Sequence, residues 1–195
     1  KSNDYLYDLG ILINSEEKEP PSNPDAIRKF ISAAEQTGFR VELITKKDYH
    51  RVGEFDAIFI RETTNVNHYT YSFARRAQSE GIAVIDDPDR ILRCSNKVYL
   101  QELMTVGKIP VPKTVIVHSE NRHTLAKEIG FPMIIKSPDS SFSQGVVKAK
   151  NKEELESILD QMFENSDLLI AQEFTPTDFD WRIGILDGKP LYACK

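Results

Sequence analysis

The segment Phe131–Gly145 carries the most informative local pattern, because an apolar run ends in Lys136 and leads into a loop rich in serine. The apolar run predicts a buried strand, and the closing glycine predicts the start of a second strand. A cation at the rim of a hydrophobic sheet, beside hydroxyl and backbone N–H groups, suits a polyphosphate ligand. The alternative is a surface lysine beside an ordinary hairpin loop. The loop does not follow the Walker pattern of phosphate-binding loops.

A second pattern lies where the run Leu168–Phe174 passes into a Thr-Pro-Thr break. The run predicts a strand, and a chain leaving a sheet here would offer backbone donors and acceptors to a flat base. A carboxylate close by could bind a ribose. The alternative is an edge strand that enters a turn.

The third pattern is a charged group near the end of the chain. Asp180 and Arg182 flank Trp181, so they point to the same side of a predicted strand. The dipeptide Asp187-Gly188 predicts a hairpin turn, which places Lys195 opposite them or nearly so. These charges form either a cross-strand pair of little energetic value or an anion site.

The elements of the first part alternate between strand and helix, which predicts a small doubly wound α/β domain over residues 1–90. Arg61 follows a buried strand, where doubly wound sheets bind ligands. It contacts either a substrate or an acidic group across a domain interface. The predicted strands are Tyr7–Ile13, Val41–Thr45, Asp56–Ile60 and Ile82–Ile85, and the predicted helices are Pro24–Gln36 and Tyr69–Glu80.

The later part predicts an α+β arrangement, in which helices cover one face of an antiparallel sheet that ends in a hairpin. The predicted helices are Pro88–Arg93, Asn96–Val106, Thr124–Ile129 and Lys152–Phe163. The predicted strands are Thr114–Val117, Pro132–Lys136, Gly145–Ala149, Leu168–Phe174, Trp181–Leu186 and Pro190–Cys194.

Composition narrows the class of protein. The chain has 195 residues, 40% of them hydrophobic, and a formal net charge of −5. That balance argues against general affinity for nucleic acid or anionic membrane, and the apolar runs are too short to span a bilayer. Neither the four histidines nor Cys94 and Cys194 have metal-ligand spacing, so a reduced, cytoplasmic protein is expected. A chain that begins with Lys1 is expected to be a piece of a longer protein.

Taken in order, several motifs resemble the ATP-grasp superfamily, specifically the RimK-like and glutathione-synthetase-like carboxylate–amine ligases. The resemblance covers most of the chain. Its motifs are Phe59–Arg61, Gly81–Ile85, Asp87-Pro88 through Asn96-Lys97, Ile109–Pro112 with Thr114, Phe131–Lys136, Gln172–Phe174 and Asp180–Arg182.

The resemblance implies a pre-ATP-grasp substrate domain over residues 1–90 and the N-terminal part of an ATP-grasp domain over 91–195. Within the latter it implies a helical linker over 91–112, an ATP-binding subdomain over 113–175 and the start of a C-terminal subdomain over 176–195. The implied ligands are ATP, Mg²⁺ and a small amino-acid or peptide substrate. A homo-oligomer is also expected.

The resemblance also implies a role for individual residues. Lys97 and Lys136 would converge on the triphosphate, Gln172–Phe174 would bind adenine through backbone groups, and Asp180 would bind the ribose. Arg182 and Lys195 would be the catalytic cations that face the transferred phosphate, and Arg61 would contact the substrate. The phosphate loop would contribute Ser137, Ser141, Ser143 and Gly145.

Two departures from the family pattern matter. The loop after Lys136 has no glycine before Gly145, and the chain stops before the region where the family places its magnesium ligands. The implied function is an ATP-dependent carboxylate–amine ligase that acts through an acyl phosphate, present here as a piece that is inactive by itself. The alternatives are a non-catalytic nucleotide-binding regulatory module, an ATP-grasp small-molecule kinase, and a ligand-sensing domain attached to a structural half.

Overall fold

The computed structural model describes residues 5–138 and 145–195, so the predicted roles of Ser141 and Ser143 fall outside the described residues. The chain forms two compact units, divided between Leu103 and Met104. The predicted domain boundary at residue 90 stays a prediction. None of the helices in the described part of the chain has both the length and the apolar character needed to cross a bilayer.

The first unit is built on a parallel four-stranded sheet with the order β2-β1-β3-β4, and this confirms the predicted doubly wound α/β architecture. The order reverses between β1 and β3. Its strands are β1 (Tyr7–Leu12), β2 (Phe39–Ile44), β3 (Ala57–Ile60) and β4 (Ala83–Ile85). Its helices are α1 (Pro24–Gln36), α2 (Tyr69–Ser79) and α3 (Pro88–Ser95), and α4 (Lys97–Val106) begins here.

Helices cover both faces of this sheet because alternate residues of a strand point to opposite sides. Ile58 and Ile60 of β3 are buried in one cluster with Phe73 of α2. On the other face, the ring of Phe59 makes an edge contact with Phe30 of α1, with centroids 5.0 Å apart. The two sides of β3 therefore anchor different helices.

The sequence patterns did not predict the 3-10 segment Lys46–Glu54. Its start is fixed by a capping box, in which Thr45 and Asp48 exchange side-chain and backbone hydrogen bonds. Val52 is its one buried residue, and so little apolar periodicity gives no helical signal.

The second unit is built on an antiparallel sheet with the order β5-β8-β6-β7, covered on one face by α6, as predicted. Leu155 and Leu159 of α6 are buried in one cluster with Met133, Ile135 and Ala171. The elements are β5 (Thr114–Val117), a 3-10 turn (Arg122–Thr124), α5 (Leu125–Glu128), β6 (Met133–Lys136), β7 (Val146–Ala149), α6 (Lys152–Phe163) and β8 (Leu169–Glu173).

A two-stranded hairpin, β9 (Arg182–Leu186) and β10 (Lys189–Cys194), ends the chain. Asp187 and Gly188 both have positive φ, 49° and 68°, as the predicted hairpin turn requires. A register shift between Pro190 and Tyr192 then pairs Cys194 with Arg182. A Cβ at Gly184 would lie 2.2 Å from the Tyr192 ring, so only glycine fits beneath that ring.

Glu62 is an unusual charge in the first unit, because it is 4% exposed in the loop that follows β3. Its Oε2 accepts a hydrogen bond from the Tyr69 hydroxyl, while Oε1 has no hydrogen-bond partner among the described residues. Burial raises the pKa of the Glu62 carboxyl, and the nearby Glu17 raises it further. The ionised form of Glu62 therefore destabilises this unit.

We predict that Glu62→Gln stabilises the first unit increasingly as pH rises from 4 to 8. An acid whose folded pKa is raised loses stabilising free energy as pH rises from the unfolded pKa, about 4.3, through the folded value. A glutamine does not titrate. Hydrogen exchange of β1 and β3 amides, compared between variant and parent at each pH, measures the difference.

The matched control is Glu35→Gln, which makes the same chemical change at an exposed position on α1. The pH-dependent change measured for Glu62→Gln should exceed any change measured for this control. A pH-independent difference for Glu62→Gln would contradict the assignment of a raised pKa.

Candidate functional site

Lys136 lies at the end of β6 on the sheet face opposite the core. Met133 and Ile135 are fully buried against α6, so Ile134 and Lys136 point to the other side. The half-buried Lys136 Nζ donates a 2.6 Å hydrogen bond to Gln172 Oε1. Burial lowers the pKa of the Lys136 ammonium. In the described part of the chain, no carboxylate lies within ion-pair distance of it.

The Gln172 side chain continues this contact across the sheet. Its Nε2 donates to Thr114 Oγ1 at 2.9 Å, and the Thr114 hydroxyl donates to the carbonyl of Pro112 at 2.7 Å. Gln172 pairs with Thr114 on one side and with Ile134 on the other. The hydrogen-bonded chain therefore runs from β6 through β8 to the segment before β5.

Lys148 is a residue of this face that the sequence patterns did not identify. It pairs with Ile134 across β6 and β7, and its Nζ lies 3.3 Å from the centroid of the Phe174 ring. Such a contact is a cation–π interaction. The alternation of β7, in which Ala149 is buried, was the available signal, because it places Lys148 on the face of Lys136 once the strands are paired.

The backbone at the end of β8 is partly engaged within the sheet. Glu173 N donates to the Lys113 carbonyl at 2.9 Å, and Phe174 N donates to the Pro132 carbonyl at 3.4 Å. The Glu173 side chain accepts from Lys113 N at 3.0 Å. Two of the amides predicted to bind a base therefore already have protein acceptors.

Of the predicted phosphate loop, the described chain includes both ends. Ser137 N donates to the Gly145 carbonyl at 3.1 Å, so these two residues are paired directly after β6. Gly145 has φ +67°, a conformation that favours glycine.

The hairpin brings three predicted charged residues together. A pocket of about 580 Å³ is lined by Asp180, Trp181, Arg182, Ile183, Cys194 and Lys195. The Lys195 ammonium lies 3.9 Å from the centroid of Phe179. Asp180 accepts a long hydrogen bond, 3.4 Å, from the Thr177 hydroxyl. One acid and two bases thus share one open pocket.

Lys97 is the first residue of α4. Asn96 precedes it, and the Asn96 side chain accepts hydrogen bonds from the amides of Val98 and Tyr99 at 3.0 and 3.1 Å. This cap fixes where the helix begins and hence where Lys97 leaves the backbone.

Arg61 is hydrogen-bonded to the loop that follows β1. Its Nε donates to Ser22 Oγ at 2.8 Å, and its Nη2 donates to the Pro21 carbonyl at 3.0 Å. The guanidinium carbon lies 5.4 Å from the Phe30 centroid and 5.2 Å from that of Phe59. Burial lowers the pKa of Arg61. A substrate contact by this residue stays a prediction.

The side chains of the second unit fit a nucleotide better than they fit a metal. The ammonium groups of Lys136, Lys148 and Lys195 and the guanidinium of Arg182 suit phosphate oxygens. Phe174 offers an aromatic surface to a base. Within residues 5–138 and 145–195, no group of three or more histidine, cysteine or acidic side chains could hold a metal ion.

The chain is similar to known proteins in sequence and in structure. Residues 94–189 match the family model described as a RimK-like ATP-grasp domain. The α-aminoadipate–LysW ligase LysX of Sulfolobus acidocaldarius is 28% identical over 162 residues, which cover 78% of this chain and 54% of that protein. The probable α-L-glutamate ligase of Shewanella halifaxensis is 24% identical over 190 residues, covering 86% of this chain and 42% of that one.

Among solved structures, the D-alanine–D-alanine ligase of Bacillus anthracis complexed with ATP has a TM-score of 0.73 at 20% identity. The match covers 95% of this chain and 62% of that one, and it shows a shared fold. The chain spans about half the length of the curated relatives it matches. Residues 94–189, just under half of this chain, therefore match the RimK-like ATP-grasp family model.

Proposed function

We propose that this chain is part of an ATP-dependent carboxylate–amine ligase, and that the sheet face around Lys136 binds the nucleotide. The observation that carries the proposal is the half-buried ammonium of Lys136, which has a neutral amide as its partner. Burying a charge without a counter-ion is unfavourable, so such a cation favours an anionic ligand. A triphosphate is an anion of the required charge.

The proposal assigns roles to neighbours on the same unit. Phe174 lies beside Lys148 and offers its ring to the adenine, while Ser137 and Gly145 close the loop beside the phosphates. Because Glu173 N and Phe174 N already have acceptors, the base would use the remaining backbone groups at this strand end. Lys97 is a second phosphate ligand on the ground of the family resemblance alone.

The hairpin pocket completes the proposed assignment. Asp180 binds the ribose hydroxyls, and Arg182 and Lys195 face the transferred phosphate. Fixed cations stabilise the transition state when they lie where negative charge develops, and they need no reorganisation at the moment of reaction. The proposed two-step transfer requires no nucleophilic side chain of the protein.

The proposed reaction has two steps. A substrate carboxylate oxygen attacks the γ-phosphorus of ATP, and the bond between that phosphorus and the bridging β-phosphate oxygen breaks. The products of this step are an acyl phosphate and ADP. An amine nitrogen then attacks the acyl carbon, loses a proton, and expels inorganic phosphate as the amide forms. Bound Mg²⁺ would neutralise phosphate charge. A small-molecule kinase would instead release the phosphorylated substrate as its product.

The substrate class follows from the relatives' names. One is named for α-aminoadipate and another for L-glutamate, both of which are amino acids. We propose an amino acid or a peptide end as substrate, with Arg61 as a candidate contact in the first unit. A cytoplasmic location and a homo-oligomeric state stay predictions.

We predict that Lys136→Ala weakens ATP binding about 10- to 100-fold, since a hydrogen bond to a charged group contributes about 1.5–3 kcal/mol. Isothermal titration calorimetry measures the affinity. Lys127→Ala removes the same charge from an exposed position on α5 of the same unit and should leave it unchanged. Parent-like affinity of a folded Lys136→Ala variant would refute the proposed nucleotide site.

We also predict that Asp180→Asn reduces the preference for ATP over 2′,3′-dideoxy-ATP. If the Asp180 carboxylate binds the ribose hydroxyls, removing either partner loses the same charged hydrogen bonds, worth about 10- to 100-fold in affinity. Competition binding with both nucleotides measures the preference. Asp178→Asn, two residues away and also exposed, is the control. An undiminished preference in Asp180→Asn would show that another group binds the ribose.

A further inference from the structure

The hydrogen bonds of Gln172 fix the orientation of its side-chain amide. A lysine ammonium can only donate, so the atom that faces Lys136 Nζ at 2.6 Å is the amide oxygen. Thr114 donates its hydroxyl proton to the Pro112 carbonyl, so its oxygen accepts from Gln172 Nε2. Each group in this chain thus donates one hydrogen bond to the next. The reversed amide would place its NH2 against the Lys136 ammonium, and it would keep a contact with Thr114 only if the Thr114 hydroxyl left the Pro112 carbonyl.

The chain of groups restricts Lys136 at its far end. A free lysine side chain loses about 2 kcal/mol of rotamer entropy when it is held in one conformation. Here the Lys136 side chain has lost part of its rotamer entropy before any ligand binds. Its ammonium is held by the Gln172 amide, and that amide is held by Thr114. Preorganisation of this kind raises affinity without adding a contact to the ligand.

The type of residue at position 172 also matters for charge. A glutamate would accept the same hydrogen bond, but it would neutralise the lysine and repel phosphate oxygens. A glutamine accepts the bond as a neutral group and leaves the full positive charge available to an anion. Lys148, another cation on this face, contacts the Phe174 ring.

We propose that the side chain of Gln172 is a positioning residue for Lys136: it holds the ammonium in place for the nucleotide phosphates and leaves its charge uncompensated. This role differs from the backbone contact to adenine expected from the family resemblance. The inference rests on the proposed nucleotide-binding function, since it concerns the ligand that Lys136 binds.

The test uses two substitutions of Gln172 in the full chain. Gln172→Met keeps the length of the side chain and removes the acceptor, and we expect ATP affinity to fall about 3- to 10-fold. Gln172→Glu keeps the shape and adds a charge, and we expect ATP affinity to fall as well, because the carboxylate competes with phosphate. Gln161→Met, at an exposed position on α6, controls for the substitution itself.

A second readout needs no nucleotide. The ¹³Cε resonance of Lys136, identified by its loss in Lys136→Ala, reports the pKa of the ammonium as pH is varied. Because an acceptor favours the charged form, Gln172→Met should lower the pKa of Lys136, and Gln172→Glu should raise it. If Gln172 had a purely structural role, both substitutions would lower stability. They would not shift the pKa of Lys136 in opposite directions.

The outcomes separate the two proposals. If Lys136→Ala weakens ATP binding while both Gln172 variants keep parent affinity and an unchanged Lys136 pKa, the positioning role is wrong and the nucleotide site stands. If Gln172→Met weakens binding by the same factor in a Lys136→Ala background, Gln172 acts on the ligand directly, and the positioning role is again wrong. If Lys136→Ala binds ATP like the parent, the proposed function itself fails.

Discussion

The arrangement of the second unit depends on holding a positive charge partly away from water without neutralising it. One face of the sheet is apolar and packs on α6, so β6 must present Lys136 on the other face. Desolvation disfavours the ammonium, and a carboxylate partner would remove that penalty together with the charge. The neutral acceptor on Gln172 is the compromise, because it satisfies one donor and leaves the net charge intact.

Much of this fold was predictable because it follows from local pattern. An apolar run that ends in Lys136 indicates β6, and a period of 3.6 indicates α6, whose bounds match the prediction. The left-handed residues Asp187 and Gly188 suit one type of hairpin turn, so the sequence could also locate β9 and β10. The 3-10 segment Lys46–Glu54 was missed, since its evidence is a capping box and one buried valine.

The candidate site was less predictable because its contacts join strands that are distant in sequence. Thr114, Gln172 and Lys136 are neighbours only when β8 lies between β5 and β6. Alternation says which residues share a face of one strand, but it does not give the order of strands in the sheet. The contact between Lys148 and Phe174 depends on that order too, and neither residue type predicts it alone.

Two of the cations singled out from the sequence, Arg61 and Lys136, have different hydrogen-bond partners, and their donors explain the difference. Arg61 donates hydrogen bonds from Nε and Nη2 to the loop after β1, and its planar guanidinium lies against two phenylalanine rings. These contacts hold the Arg61 guanidinium against the loop after β1, so it stabilises that loop. Lys136 has three donors, of which one is held by Gln172 among the described residues. A ligand for Arg61 would have to use the donors that face away from Ser22 and Pro21, whereas a phosphate can bind Lys136 without displacing its protein partner.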